Sequence, residues 1–136
     1  MNAAIEKEMI DLLVRRKKRD RVRMFAAKEK TRDKMLSELN GPGIFDPRLM
    51  TEFTGAKRNL EDLLSVYTKR GMGKTVYVIS ENYKWDGRVF DTAEILESTL
   101  FRSTDTLGYC SKSKTAFYEW HHGETSYFID AGIRDR

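Results

Sequence analysis

Seven basic side chains stand between Arg15 and Arg23 against one acid, Asp20. Arg15, Arg16, Lys17, Lys18, Arg19, Arg21 and Arg23 are the densest charge in the chain of 136 residues. Cations this close repel one another unless acids or an anionic partner screen them. Glu8, Asp11 and Asp20 are too few to neutralise all of them. A nucleic-acid backbone would do so, with counterion release adding affinity at low salt. The guanidinium-rich composition also suits phosphate geometry. An acidic protein groove would serve as well, and a solvated helical face is the plain alternative. Charge bookkeeping locates the anomaly. Residues 1–40 hold 12 basic and 7 acidic side chains, and residues 41–136 hold 13 and 14. The net +4 therefore belongs entirely to the first 40 residues.

Other groupings lead to weaker chemistry. Gly71-Met72-Gly73-Lys74-Thr75 imitates the end of a phosphate loop, but the first glycine of G-x-x-x-x-G-K-[ST] would fall on Thr68. A helix precedes this segment and a strand follows it, the reverse of what phosphate binding at a helix N-terminus requires. His121 and His122, with Glu119, Glu124 and Cys110, match no zinc spacing, so they read as polar residues of a hairpin turn and no metal is expected. Cys110 falls mid-strand beside Tyr109 and reads as a core residue. Glu81, Asp86 and Asp91 share a loop with Asn82, Tyr83, Lys84, Trp85 and Arg88. A small-ligand site, if there is one, belongs here, against the simpler reading of turn and cap residues around an anchoring Trp85. No carboxylate pair has glycosidase spacing, and no motif calls for a cofactor.

The elements that carry these residues divide into three stretches. Residues 1–40 form a basic helical arm, residues 41–57 a connector, and residues 58–136 a compact α+β domain. Residues 3–39 contain no Gly or Pro and read as helix, stopped by Asn40-Gly41-Pro42-Gly43. Ile5, Met9, Leu12 and Leu13 share one apolar face, and Val14 is the last apolar side chain before the basic run. The interrupted stripe predicts either one long helix packed at its ends or two helices hinged near Arg19. In the connector, Ile44, Phe45, Leu49, Met50 and Phe53 are too apolar for a free linker, and Asp46-Pro47 resembles an N-cap followed by N1 proline.

A second helix is expected from Leu60 to Lys69, capped by Asn59, with Leu60, Leu63, Leu64 and Tyr67 buried. Thr75–Ser80 is apolar and β-branched, as in a central strand. Asp91-Thr92-Ala93-Glu94 opens a helix through Phe101. Strands at Leu107–Ser111, Thr115–Trp120 and Ser126–Asp130 follow as an antiparallel meander. The fold class is α+β: a small, mainly antiparallel β-α-β-β-β sheet with the two later helices on one face.

The segments VYVISEN (76–82), DGRVF (86–90), the short helix through Ile95 and Leu96, and TLGYCSKSKTAFYE (106–119) resemble a family of bacterial cytosolic proteins with no assigned activity. The likeness covers roughly the C-terminal half and departs from the family at Lys112-Ser113-Lys114, where a Pro-Gly-type turn would stand. It implies a bacterial or phage cytosolic origin and brings no catalytic or ligand residues.

No window reaches about 18 consecutive apolar residues, so a membrane-spanning helix is excluded. The basic turns also lack the continuous apolar face that a membrane surface needs. No cleaved secretory signal is expected, and one cysteine permits no internal disulfide; both suit the cytoplasm. The leading expectation is a non-enzymatic accessory or regulatory protein that binds nucleic-acid phosphates through the seven cations. The alternative is a protein-interaction module or homo-oligomer assembled through Ile5, Met9, Leu12 and Leu13, with an acidic protein partner in place of nucleic acid.

Overall fold

The run Thr75–Ser80 sets the architecture, because it is apolar on both sides. Val76 and Val78 enter one buried cluster, while Tyr77 and Ile79 enter another on the opposite face. A strand alternates its side chains across the sheet, so this one must be covered twice. The computed structural model describes residues 1–100, 102, 104–120 and 124–132. It contains helices α1 (Ala3–Leu13), α2 (Arg19–Ala26), α3 (Arg32–Glu38), α4 (Leu60–Lys69) and α5 (Thr92–Thr99). Its strands are β1 (Met50–Phe53), β2 (Thr75–Ser80), β3 (Arg88–Asp91), β4 (Thr106–Cys110), β5 (Thr115–Trp120) and β6 (Thr125–Asp130). They form one antiparallel sheet in the order β1-β6-β5-β4-β2-β3.

The α+β class and the β4-β5-β6 meander follow the sequence pattern, and α4 and α5 do share one face. Leu63, Tyr67, Ile95 and Leu96 pack there with Val76, Val78, Phe117 and Phe128. Both helices begin on the caps their sequences announce. Asn59 accepts the Asp62 N–H at 2.9 Å, and Asp91 accepts the Glu94 N–H at 3.1 Å. Each satisfies a backbone donor that a helix start leaves open.

The first 40 residues differ from the expected arm. They are three helices and they cover the other face of the sheet. Met9, Ile10, Leu13, Val22, Met35 and Leu39 share a buried cluster with Tyr77, Ile79, Leu107, Tyr109, Tyr118 and Ile129. The helix predicted over 3–39 is therefore neither one rod nor a pair hinged at Arg19. Its first break is at Val14, which is extended and bridges Phe45 of the connector. The Arg15 N–H donates to Ile44 O and the Asp46 N–H to Leu13 O, both at 2.9 Å. These long-range bonds replace the helical ones. The second break follows Ala26, where the Thr31 hydroxyl donates to Phe25 O at 2.6 Å and Lys28 O at 3.0 Å. That short-range alternative ends the helix.

Beyond α3 the stop works as read. Gly41 sits at φ +130°, a conformation that favours glycine. Its N–H donates to the Tyr118 hydroxyl at 2.7 Å, and that hydroxyl donates to Leu39 O at 2.9 Å. The turn is thus fastened to β5.

Two strands escape the sequence pattern. β1 lies in the expected connector and pairs with β6, and β3 occupies the expected turn after Asp86-Gly87 and pairs with β2. Both are four-residue edge strands, too short for a two-residue period to stand out.

Gly108 in β4 lies directly opposite Phe117 of β5. A methyl group there would overlap the buried Phe117 ring. Gly108→Ala is therefore expected to cost roughly 1–3 kcal/mol through overpacking. A urea midpoint equal to the parent's would show that the ring moves aside freely.

Candidate nucleic-acid interface

The break at Val14 turns a run of charge into a site. Val14 and Arg15 are held extended beside the connector, Arg16–Lys18 make a single 3₁₀ turn, and Arg19 starts α2. Asp46, Pro47 and Arg48 stand across from them. The result is an open cleft of about 640 Å³ lined by Arg15, Arg16, Lys17, Arg19, Asp46, Pro47 and Arg48.

Two of the cations are pre-set by the backbone. Arg15 donates its Nε–H to Gly43 O at 2.7 Å, and Arg19 donates its own to Val14 O at 2.9 Å. Their terminal nitrogens are left for other acceptors. Arg16 and Lys17 are exposed on the turn. On the far wall, Asp46 caps the turn at Pro47 by accepting the Arg48 N–H at 3.0 Å. Its carboxylate also accepts the Arg48 guanidinium at 3.1 and 2.8 Å. Those bonds hold the Arg48 pKa above its ordinary value. Among the described residues, Asp46 is the acid that lines the cleft, and it is buried and already engaged.

Electrostatics make this arrangement favourable to an anion. Arg16, Lys17, Lys18 and Arg19 crowd the start of α2, which carries no capping side chain. Cations oppose the positive end of a helix, each by about 0.3–1 kcal/mol when exposed. Like charges one turn apart add a smaller penalty. An anion in the cleft relieves both.

The seven predicted cations thus divide. Arg15, Arg16, Lys17 and Arg19 line the cleft, and Lys18 is exposed outside it. Arg21 pairs with Glu38 at 2.6 Å, and Arg23 pairs with Asp11 at 3.1 Å and Asp20 at 3.2 Å. Arg21 and Arg23 are solvent-accessible and engage their charge in ion pairs that link α2 to α3 and α1. Sequence reasoning missed Arg48. The Asp46-Pro47 cap marks its turn, but only the pairing of Val14 with Phe45 brings that turn to the basic run.

The expected docking face is occupied by the chain's own sheet. Met9 and Leu13 are fully buried, and Ile5 and Leu12 are half-buried against the same cluster. An assembly surface on these four residues is corrected by that burial.

In the loop of Glu81, Asp86 and Asp91, three side chains have structural partners. Asp86 receives the Arg32 guanidinium, Asp91 caps α5, and Trp85 packs against the α4–α5 cluster. A crevice beside Glu81 holds about 10 Å³, room for a water molecule at most. Gly73 follows a helix and precedes β2, so the glycine pair is an αβ loop. Cys110 is buried with a free thiol. His121 and His122 lie outside the described residues. Among the described residues no His, Cys, Asp and Glu cluster is arranged to hold a metal, and no helix is long and apolar enough to cross a membrane.

Fold and cleft together define an α+β domain with a sheet sandwiched between two helical layers and a cationic cleft at one layer's edge. No protein-family model, curated protein or solved structure matches the chain.

Proposed function

We propose that this protein binds nucleic acid through its phosphates, as a non-enzymatic accessory or regulatory protein of a bacterial or phage cytoplasm. One observation carries the reading: Arg15, Arg16, Lys17 and Arg19 line a single open cleft whose one described acid, Asp46, is bound by the fifth cation, Arg48. Phosphate oxygens match the forked donors of arginine. Contacts to backbone phosphates carry no sequence information, so binding is independent of sequence. A homo-oligomer built on α1 is not favoured, because α1 already lies on its own sheet.

The test is a titration of the full chain with duplex DNA, single-stranded DNA and RNA at two salt concentrations. The expected dissociation constants lie at about 10⁻⁴–10⁻⁶ M near physiological salt and fall steeply at lower salt. Absence of binding at low salt, or affinity indifferent to salt, would overturn the reading; capture of an acidic protein alone would replace it.

A further inference from the structure

We infer that the cleft receives the terminal phosphate monoester of a nucleic-acid strand rather than the diesters of its interior. This deepens the nucleic-acid reading and rests on it. The first ground is the shape of the cationic surface. A duplex presents a phosphate about every 3.4 Å of axis along each strand, so a protein that follows the backbone needs an extended row of cations. The row ends after Arg19: Arg21 and Arg23 are held by Glu38, Asp11 and Asp20. Arg15, Arg16, Lys17 and Arg19 instead line one cleft, opposite the Asp46-bound Arg48 of the connector.

Charge is the second ground. An internal diester brings one negative charge, whereas a monoester brings about 1.5 to 2 and three acceptor oxygens. Asp46 balances Arg48, and the four cations that remain, Arg15, Arg16, Lys17 and Arg19, call for the denser anion. Donor geometry is the third. The Nε bonds of Arg15 and Arg19 orient two guanidiniums while leaving their terminal N–H groups unused. Orientation before binding lowers the entropic cost of capture.

The experiment compares one single-stranded oligonucleotide in three forms, with a 5′-phosphate, a 3′-phosphate or hydroxyl ends, against the full chain. Inorganic pyrophosphate is titrated separately. At least one phosphate-ended form is expected to bind 10-fold or more tightly than the hydroxyl form. Arg16→Glu with Lys17→Glu, both exposed and outside the core, should erase that difference. Equal binding of all three forms, still lost in the variant, would overturn the strand-end inference and leave nucleic-acid binding standing. Binding of pyrophosphate with none of the strands would overturn both.

Discussion

Arg32→Ala is expected to lower the stability of the fold by about 3–5 kcal/mol, because it strands two carboxylates in the interior. The Arg32 side chain is 8% exposed, beside Glu6 at 3% and Asp86 at 7%. Its Nη1 donates to Glu6, and its Nε and Nη2 donate to Asp86 at 3.0 and 2.9 Å. The second Glu6 oxygen accepts the Tyr77 hydroxyl at 2.5 Å, and Asp86 also accepts the Ser80 N–H at 3.1 Å. Burial and the neighbouring Glu6 push the Tyr77 pKa up to about 12, so it remains a donor. For Arg32, burial opposes the charge, but the two carboxylates outweigh it and hold the guanidinium protonated.

This network joins α1, α3, β2 and the loop before β3, and so fastens the helical layer that carries the cleft. A loss of that size is a large fraction of the roughly 5–15 kcal/mol by which domains are stable. Urea denaturation reads it directly. Adding Glu6→Gln and Asp86→Asn to the variant should restore part of the loss, since the unpaired charge is then gone. A loss below about 1 kcal/mol would mean that the carboxylates reach water and that the network contributes little.

The second large effect concerns binding. Arg16→Glu, Lys17→Glu and Arg48→Gln together are expected to weaken nucleic-acid binding 100-fold or more. Arg21→Gln with Arg23→Gln should change it less than 3-fold, although both residues belong to the same basic run. The contrast matters because a merely electrostatic surface would respond to total charge wherever it was removed. The cleft account instead follows position: Arg16, Lys17 and Arg48 line the cleft, whereas Arg21 and Arg23 do not. Each variant is compared with the parent by circular dichroism, so that altered packing is seen separately from altered binding. Equal losses from the two sets would remove the cleft from the account.

What the residues announce locally, the structure keeps. The caps at Asn59 and Asp91, the apolar run Thr75–Ser80 and the stop at Gly41 depend on neighbours a few positions away. The unbroken apolar pattern of that strand also requires cover on both faces, although the identity of the second cover is not local. It comes from helices whose stripe, Ile5, Met9, Leu12 and Leu13, looks from the sequence like a surface for another molecule. The break at Val14 is equally non-local, because it depends on Phe45 and on backbone bonds with Ile44 and Asp46. The cleft inherits this division. Arg15, Arg16, Lys17 and Arg19 are conspicuous as a run, whereas Arg48 joins them through a tertiary pairing. The exclusion of Arg21 and Arg23 depends on which acids the fold brings to them.

The central claim, that the cleft's cations displace counterions from phosphates, is tested most directly by the salt dependence of binding. The logarithm of the association constant for duplex DNA is measured against the logarithm of salt concentration for the parent and for the Arg16→Gln, Lys17→Gln, Arg48→Gln variant. Each lost phosphate contact removes about 0.9 from the slope, so for one phosphate seated in the cleft the variant's slope should be shallower by roughly 1. Parallel lines, with the same slope in both proteins, would contradict the claim.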